Sequence, residues 1–429
     1  MPDITLIVLQ HGLWGVSSHM NYIEENLHKH LKDQPFEIFN SKVNEGKYTY
    51  DGIDLCGERL AKKIQTLVNE LAKEDKIVRK LSMVGYSLGG LISRYALGLL
   101  YKDGFFNTIK PVFFVTFATP HMGVRRPKTS FFSKAFNFFS GRLVSRTGEQ
   151  LQLIDKFDKN LPLLCVLASP DQPYYQALEK FEIIRTYANV KNDRTVPYWT
   201  AAMTTGNYFS ELEKIDIALD QDYKAIITGY DIADKSKKMK HSKKKYLWKA
   251  VFYVLAPIVF PIFALFAIIY IGSQGVISRY RVAKILNSSL AISGVSKSSP
   301  TDHPAISSRS TSSDATIDQD NENPVLSGTL DAINISANVQ DPTEHLSPHR
   351  LGNWCNVIPS ESLKKKYPEF KFDPCVMDIQ KNLSQLPWQT VLVCIHSFNA
   401  HGSIICRQNI HTTPDGETVV RHFLDTVLD

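Results

Sequence analysis

Apolar residues recur along the chain in short unbroken runs, and between several of them the apolar positions fall at helical spacing. The runs Ile4–Leu9, Glu37–Val43, Leu81–Gly85, Val112–Ala118, Leu163–Leu167, Glu182–Ala188 and Gln389–Ile395 predict strands. Most of them do not alternate with polar residues, the pattern of strands covered on both faces. The clearest helix lies between the second and third runs. There Ile53, Cys56, Leu60, Ile64, Leu67, Val68 and Leu71 share one face at 3.6-residue spacing. Another helical pattern, Gly90 to Tyr101, follows the third run. Short apolar strands alternating with such helices predict an α/β fold, a doubly wound and mostly parallel sheet. Functional residues should gather at the carboxyl ends of its strands.

Two segments break this pattern. Ala250 to Gly272 holds 23 residues without a charge, and the preceding stretch Lys235 to Lys249 carries eight lysines and no acid. Arg279, Arg281 and Lys284 follow. A straight helix of that length would measure ~34 Å, enough to cross a bilayer core. Both flanks are basic, however, and Pro257 and Pro261 lie near the middle. The expectation is therefore a membrane hairpin or in-plane insertion with both ends on the cytosolic face. Such short arms suit a monolayer with oil beneath it, so a lipid-droplet surface is the expected address, with the endoplasmic reticulum membrane as a second. Lysines beside an apolar run fit anionic head groups better than nucleic acid. Asn287 to His349 is dominated by Ser, Thr, Asp, Asn and Pro and has no aromatic residue, which predicts a disordered linker. The resulting division is an α/β core over 1–234, a polybasic and hydrophobic membrane-anchoring segment over 235–286, a linker over 287–350, and the rest of the core over 351–429.

Composition adds a few bounds. With 429 residues and 43% apolar content, the chain can bury one sizeable core and carry appendages, and its net charge of +6 matters less than its clustering. The six cysteines, Cys56, Cys165, Cys355, Cys375, Cys394 and Cys406, show no metal-type spacing and read as reduced thiols. No ligand cluster is visible, so neither a metal nor a cofactor is expected. The beginning, Met-Pro-Asp-Ile-Thr-Leu-Ile-Val-Leu, lacks a basic leader and reads as the first strand.

The candidate chemistry starts at Gly85-Tyr86-Ser87-Leu88-Gly89, placed between an apolar strand and a helix. That is the arrangement of a nucleophile elbow, which lifts a serine hydroxyl out of the sheet's carboxyl edge. Acyl transfer also needs two N–H donors for the developing oxyanion. Leu88, at the positive end of the helix, supplies one candidate. Leu13, between the glycines of His11-Gly12-Leu13-Trp14-Gly15, supplies the other. His11 reads better as a loop fastener than as a base. In this fold class the acid and then the base follow the serine in the chain. Asp193, in the turn after Glu182–Ala188, is the candidate acid, with Asp171 its rival. His401, in the loop after the last strand run, is preferred as base over His396, which still continues the strand.

His11-Gly-Leu-Trp-Gly, Gly85-Tyr-Ser-Leu-Gly-Gly-Leu, Ala118-Thr-Pro-His-Met-Gly, Arg146-Thr-Gly-Glu-Gln-Leu and Asn192-Asp-Arg-Thr-Val-Pro-Tyr resemble the eukaryotic putative serine esterase family. The likeness is densest over about residues 3–230 and returns at Asn399-Ala-His401-Gly-Ser-Ile-Ile-Cys-Arg407. Within that family the chain looks most like the shorter fungal members, lipid-droplet phospholipases related to the yeast monoacylglycerol lipases. The resemblance implies an α/β-hydrolase fold with Ser87 as nucleophile, Asp193 as acid and His401 as base.

Phe131 to Phe139 places five phenylalanines in nine residues, the composition of a lid or of a helix packed under the sheet. Together these readings predict a serine hydrolase of membrane or lipid-droplet glycerolipids, a phospholipase first and a monoacylglycerol lipase second. It would need no protein partner. A lipid-binding tether with an inactive elbow, and a thioesterase of acylated protein cysteines, are the competing readings.

Overall fold

A computed structural model describes residues 3–125, 145–233, 272–285, 287 and 352–428. Six strands form one wholly parallel sheet in the order β2-β1-β3-β4-β5-β8. They are β1 (Asp3–Gln10), β2 (Phe36–Asn40), β3 (Ile77–Tyr86), β4 (Lys110–Phe117), β5 (Ile183–Asn189) and β8 (Trp388–Val393). From β1 the chain steps outward to β2, returns past β1 to β3, and then proceeds through β4 and β5. The carboxyl ends of β1 and β3 therefore flank the point where the winding reverses, the place such sheets put their ligands.

The unbroken apolar runs have the cause expected of them. Along β1, Leu6 and Val8 face one layer of core with Leu81, Met83 and Phe114, while Ile7 and Leu9 face the other with Val84, Val115 and Phe117. Helices Ile53–Lys73 and Leu88–Lys102 cover the first face, and Asn21–His30 with Pro414–Val427 cover the second. Each buried aliphatic or aromatic side chain contributes roughly 1.5–3 kcal/mol, so the central strands anchor the molecule. The edge strand β2 is only half-buried throughout.

Residues 352–428 join this sheet: β8 pairs with β5 from Ile184–Trp388 to Asn189–Val393. An antiparallel ribbon, β6 (Ile215–Leu219) with β7 (Ile227–Ile232), lies beside the end of β8, touching it through a bridge between Ile226 and Val393. That ribbon was not read from the sequence.

Two expectations fail. Leu163–Leu167 is a helix and not a strand. Five apolar residues are too few for periodicity to decide. Pro162 supplies an extended residue at the N-cap, and Asp155 Oδ2 accepts the Leu163 amide at 2.8 Å, which starts a helix. Cys165 and Cys375 are not free thiols but form a disulfide, joining that helix to helix Pro374–Leu383 across 210 positions of sequence. The other four cysteines are free.

The Phe131–Phe139 segment, the lysine-rich run, the proposed hairpin and the linker lie outside the described residues. Among the described residues, no helix is long and apolar enough to cross a membrane. The described helix 272–285, which follows the uncharged run, packs on the core with Ser278 and Val282 buried. Its cations Arg279 and Arg281, expected only as a basic flank, pair with Glu149 and Asp51.

Candidate active site

Ser87 sits between β3 and helix Leu88–Lys102 with φ 54° and ψ −128°, a left-handed backbone that a serine adopts only under constraint. The constraint is steric and polar. A Cβ on Gly85 would come within 2.5 Å of Gly90 Cα, and one on Gly89 would collide with the Gln10 carbonyl. The Ser87 amide donates to Phe117 O at 2.9 Å, and Thr119 Oγ1 donates to Ser87 O at 2.9 Å. The turn is therefore locked to β4 on one side and pressed against the end of β1 on the other.

The hydroxyl it presents meets His401. His401 Nε2 lies 3.0 Å from Ser87 Oγ, and His401 Nδ1 lies 2.8 Å from Asp193 Oδ2. All three side chains are nearly closed to solvent. Asp193 turns its other oxygen to the backbone, where Oδ1 accepts the Thr195 amide at 2.9 Å and the Val196 amide at 2.8 Å. Those bonds fix the carboxylate in its turn and leave Oδ2 for the imidazole. A hydroxyl aligned with an imidazole, itself aligned by a carboxylate, can lose its proton as it attacks a carbonyl.

His401 stands on the short helix Ala400–Ser403, started by Asn399, whose side chain accepts the Gly402 amide at 3.2 Å. Tyr86 Oη donates to the His401 carbonyl at 2.8 Å, and the two rings lie 5.1 Å apart. Burial drives the Tyr86 phenol pKa upward, so it remains a donor. The structure thus gives Tyr86 a positioning contact that sequence reasoning missed. Its place beside the serine in the elbow was the available signal.

Leu13 and Leu88 occupy the two flanks of the serine. Gly12 lies so close that a Cβ there would sit 2.7 Å from Ser87 Cβ. Among the hydrogen bonds of the described residues, neither the Leu13 nor the Leu88 amide has a protein acceptor. Among the described residues no hydrogen bond joins His11 to Ser87 or His401. His11 Nδ1 pairs with Gly12 O at 3.0 Å, and burial lowers its pKa, so it fastens the loop as a neutral ring. His396 is exposed and bonded to Asp415 at 3.2 Å, and Asp171 is an exposed turn residue bonded to Gln172. Neither joins the site. Among the described residues no group of side chains is arranged to hold a metal ion.

The loop that carries Leu13 is braced from below. Trp14 N donates to Thr49 Oγ1 at 3.0 Å and Gly46 N to Gly15 O at 2.8 Å. Thr147 Oγ1 donates to Thr49 O at 2.6 Å, and Gln150 Oε1 accepts the Ile53 amide at 2.6 Å. Arg146 pairs with Asp54. These contacts explain structurally why the Arg146-Thr-Gly-Glu-Gln-Leu segment is more than a loop.

A serine on a strand–helix elbow, aligned with an imidazole and a carboxylate at the carboxyl edge of a parallel sheet, defines a serine-type α/β hydrolase. Residues 3–206 match the family Putative serine esterase (DUF676). Putative lipase ROG1 of Saccharomyces cerevisiae is 33% identical over 215 residues, covering 49% of this chain and 30% of that protein. Putative lipase C4A8.10 of Schizosaccharomyces pombe is 32% identical over 225 residues, covering 51% of this chain and 28% of that protein. The chain thus aligns with less than a third of the length of these curated relatives. Among solved structures, carboxyl esterase 2 from Tuber melanosporum is 17% identical over 43% of this chain and 58% of its own, with a TM-score of 0.29. So loose a likeness carries no argument, and the fold rests on the strand order above.

Proposed function

We propose that the chain is a serine hydrolase that cleaves acyl ester bonds of glycerolipids, with phospholipid as its substrate, at a cytosol-facing membrane or lipid-droplet surface. The carrying observation is the hydrogen-bonded line from Asp193 through His401 to Ser87 at the elbow. In this reading Ser87 Oγ attacks the ester carbonyl while His401 Nε2 takes its proton, and Asp193 holds the imidazole and stabilises its positive form. The Leu13 and Leu88 amides receive the oxyanion. Collapse of the intermediate breaks the ester C–O bond. His401 returns the proton to the leaving alcohol, and an acyl-serine remains. Water, deprotonated by His401, then releases a fatty acid and restores Ser87. The lipid substrate is supported by the lipase names of the relatives and by the lysine-rich and uncharged runs of the sequence.

The test has two arms. A fluorophosphonate probe should label the wild type and fail to label Ser87→Ala; an unlabelled wild type would return the chain to the class of lipid-binding tethers. Product analysis on mixed lipid droplets should then show fatty acid released from phospholipid by the wild type alone. Release from monoacylglycerol instead would move the substrate, and release only from acylated peptides would make it a thioesterase.

A further inference from the structure

Helix 272–285 presents the opposite faces from those of an ordinary surface helix. Beside the buried Val282 it turns polar side chains inward: Ser278 is buried, and Arg281 is largely covered. Outward it shows Val276, Ile277 and Tyr280, which are 68%, 51% and 76% exposed. At 100° per residue these three fall on one face. Single apolar residues on a surface need no explanation. Three on one face of a helix that is fastened by its polar side do.

The fastening is centred on Asp51, which is fully buried. Ser278 Oγ donates to Asp51 Oδ1 at 2.8 Å, and Arg281 Nε reaches Oδ1 and Oδ2 at 3.1 Å each. Arg59 Nη2 takes Oδ2 from the core side at 2.6 Å. Arg281 also donates to Lys47 O at 3.1 Å and lies over the Tyr48 ring at 5.0 Å, while Arg279 pairs with Glu149 at 2.7 Å. A carboxylate held between two guanidiniums fixes the helix in orientation as well as position.

The turn that receives this helix, Gly46–Tyr50, is the same turn that braces the loop after β1. Trp14, on that loop, is 50% exposed, and its ring centroid lies 6.0 Å from that of Tyr50. Exposed apolar side chains therefore stand both on the loop beside Ser87 and on the outer face of a helix held by the same turn.

We infer that this rim, made by Trp14, Val276, Ile277 and Tyr280, is the surface by which the protein meets a phospholipid layer, and that Asp51 holds it in that pose. The occupant follows from what adjoins the patch. Helix 272–285 begins where the uncharged run 250–272 ends, so apolar chain leads directly into it. Lys284 shares the helix face of Val276 and Tyr280, and Arg279, paired with Glu149, borders it, as on helices that lie at anionic head groups. A second copy of the chain would bring the same cations against them. The docking would also set the approach of an ester to the site, since the rim and the Leu13 loop share one brace. The inference rests on the hydrolase reading only where activity is measured.

The decisive experiment places a photo-crosslinking benzoylphenylalanine at position 280 of the full chain carrying Ser87→Ala, on phosphatidylcholine–phosphatidylserine vesicles with a clickable acyl chain. A lipid adduct is expected from position 280 and none from position 358, an exposed apolar site elsewhere. An adduct at twice the chain mass, equal labelling from both positions, or no adduct from 280 overturns the inference. In the active chain, Val276→Asp with Ile277→Asp should slow hydrolysis of vesicle phospholipid at limiting lipid about a hundredfold, as loss of two inserted apolar side chains implies. Hydrolysis of a soluble short-chain ester should stay within about twofold of wild type. An unchanged vesicle rate counts against the surface. A wild type that hydrolyses neither ester removes the reading of function, whereas the crosslink decides the surface by itself.

Discussion

The loop after β1 and the loop after β8 close on Ser87 from opposite flanks of β3, and different bonds hold them. On the β1 flank ionic pairs stand behind the neutral bonds of the brace: Asp51 between Arg59 and Arg281, and Asp54 against Arg146, both carboxylates buried. On the β8 flank the groups that hold the backbone around His401 are neutral. Tyr86 holds the His401 carbonyl, Asn189 Oδ1 accepts the Ile395 amide at 3.0 Å, Asn192 Nδ2 donates to His396 O at 3.2 Å, and Asn399 starts the helix of His401. The difference follows from what each flank presents. The β1 loop carries the Leu13 amide, proposed above to receive the oxyanion, and its cations lie behind the turn Gly46–Tyr50. The β8 loop carries the imidazole, whose ring meets the Asp193 carboxylate at 2.8 Å and whose backbone is held by neutral groups. Amides and a phenol hold the His401 backbone, and Asp193 brings the charge to its ring.

The largest effect should come from breaking the line itself. His401→Ala or Asp193→Asn should reduce kcat on a soluble ester by about 10⁴-fold, leaving the residual rate that oxyanion donors and binding supply. Circular dichroism of both variants should match the wild type, because neither side chain carries core packing. A loss below about tenfold for His401→Ala would mean that another base serves, and the β8 flank would no longer be the proton-handling side.

Breaking the ionic flank should act first on stability. Asp51→Ala leaves two guanidiniums without their carboxylate. Removing one partner of a buried pair costs about 3–5 kcal/mol, and because Arg59 and Arg281 are each about a quarter exposed, roughly 2–3 kcal/mol is expected here. Urea unfolding measures it. The same change should loosen the Leu13 loop and lower kcat on a soluble ester about tenfold with little change in KM, since the brace touches no substrate. Asp51→Glu should restore part of kcat. If stability falls while kcat holds, Asp51 supports the fold alone.

The β8 flank has a covalent tie where the other has charge. The Cys165–Cys375 disulfide joins the helix leading into β8 to the chain that precedes β5. Cys375→Ser should therefore cost about 2–4 kcal/mol, read as a shift in urea midpoint. Wild type treated with reductant should then unfold at the variant's midpoint. Coincidence of oxidised and reduced wild type would show that the tie contributes nothing.

Much of this contrast was legible in advance, and the limits have physical causes. Strands buried on both faces announce themselves as unbroken apolar runs, so the carboxyl ends that carry Ser87 and Asp193 could be found by reading to the end of each run. Leu163–Leu167 has the same appearance and folds as a helix, because over five residues composition is identical and only the cap at Pro162 and Asp155 differs. The ribbon β6–β7 carries a charge or a glycine within each strand and shows no clean alternation. The ionic flank was the least legible part. Asp51 and Arg281 are 230 residues apart, and each alone looks like a solvated charge. Cysteine spacing hid the disulfide for the same reason. One sequence reports local pattern well and distant pairing hardly at all.

The smallest of these effects tests the neutral flank at its most economical point. Tyr86→Phe removes one hydroxyl and keeps the ring against His401. What is lost is a hydrogen bond at 2.8 Å to a buried carbonyl, which then has no donor in place of the phenol. A bond of this kind contributes about 1 kcal/mol, and the unsatisfied acceptor can raise the cost to roughly 2 kcal/mol. Because the bond holds the backbone of His401 and not its ring, the imidazole should keep its alignment with Asp193 and wander only slightly from Ser87. A fall in kcat of about threefold to tenfold is expected, with KM and the pH profile of kcat unchanged. A shifted pH profile would mean that the phenol influences the imidazole's proton directly, and the distinction between a charged and a neutral flank would have to be redrawn around it.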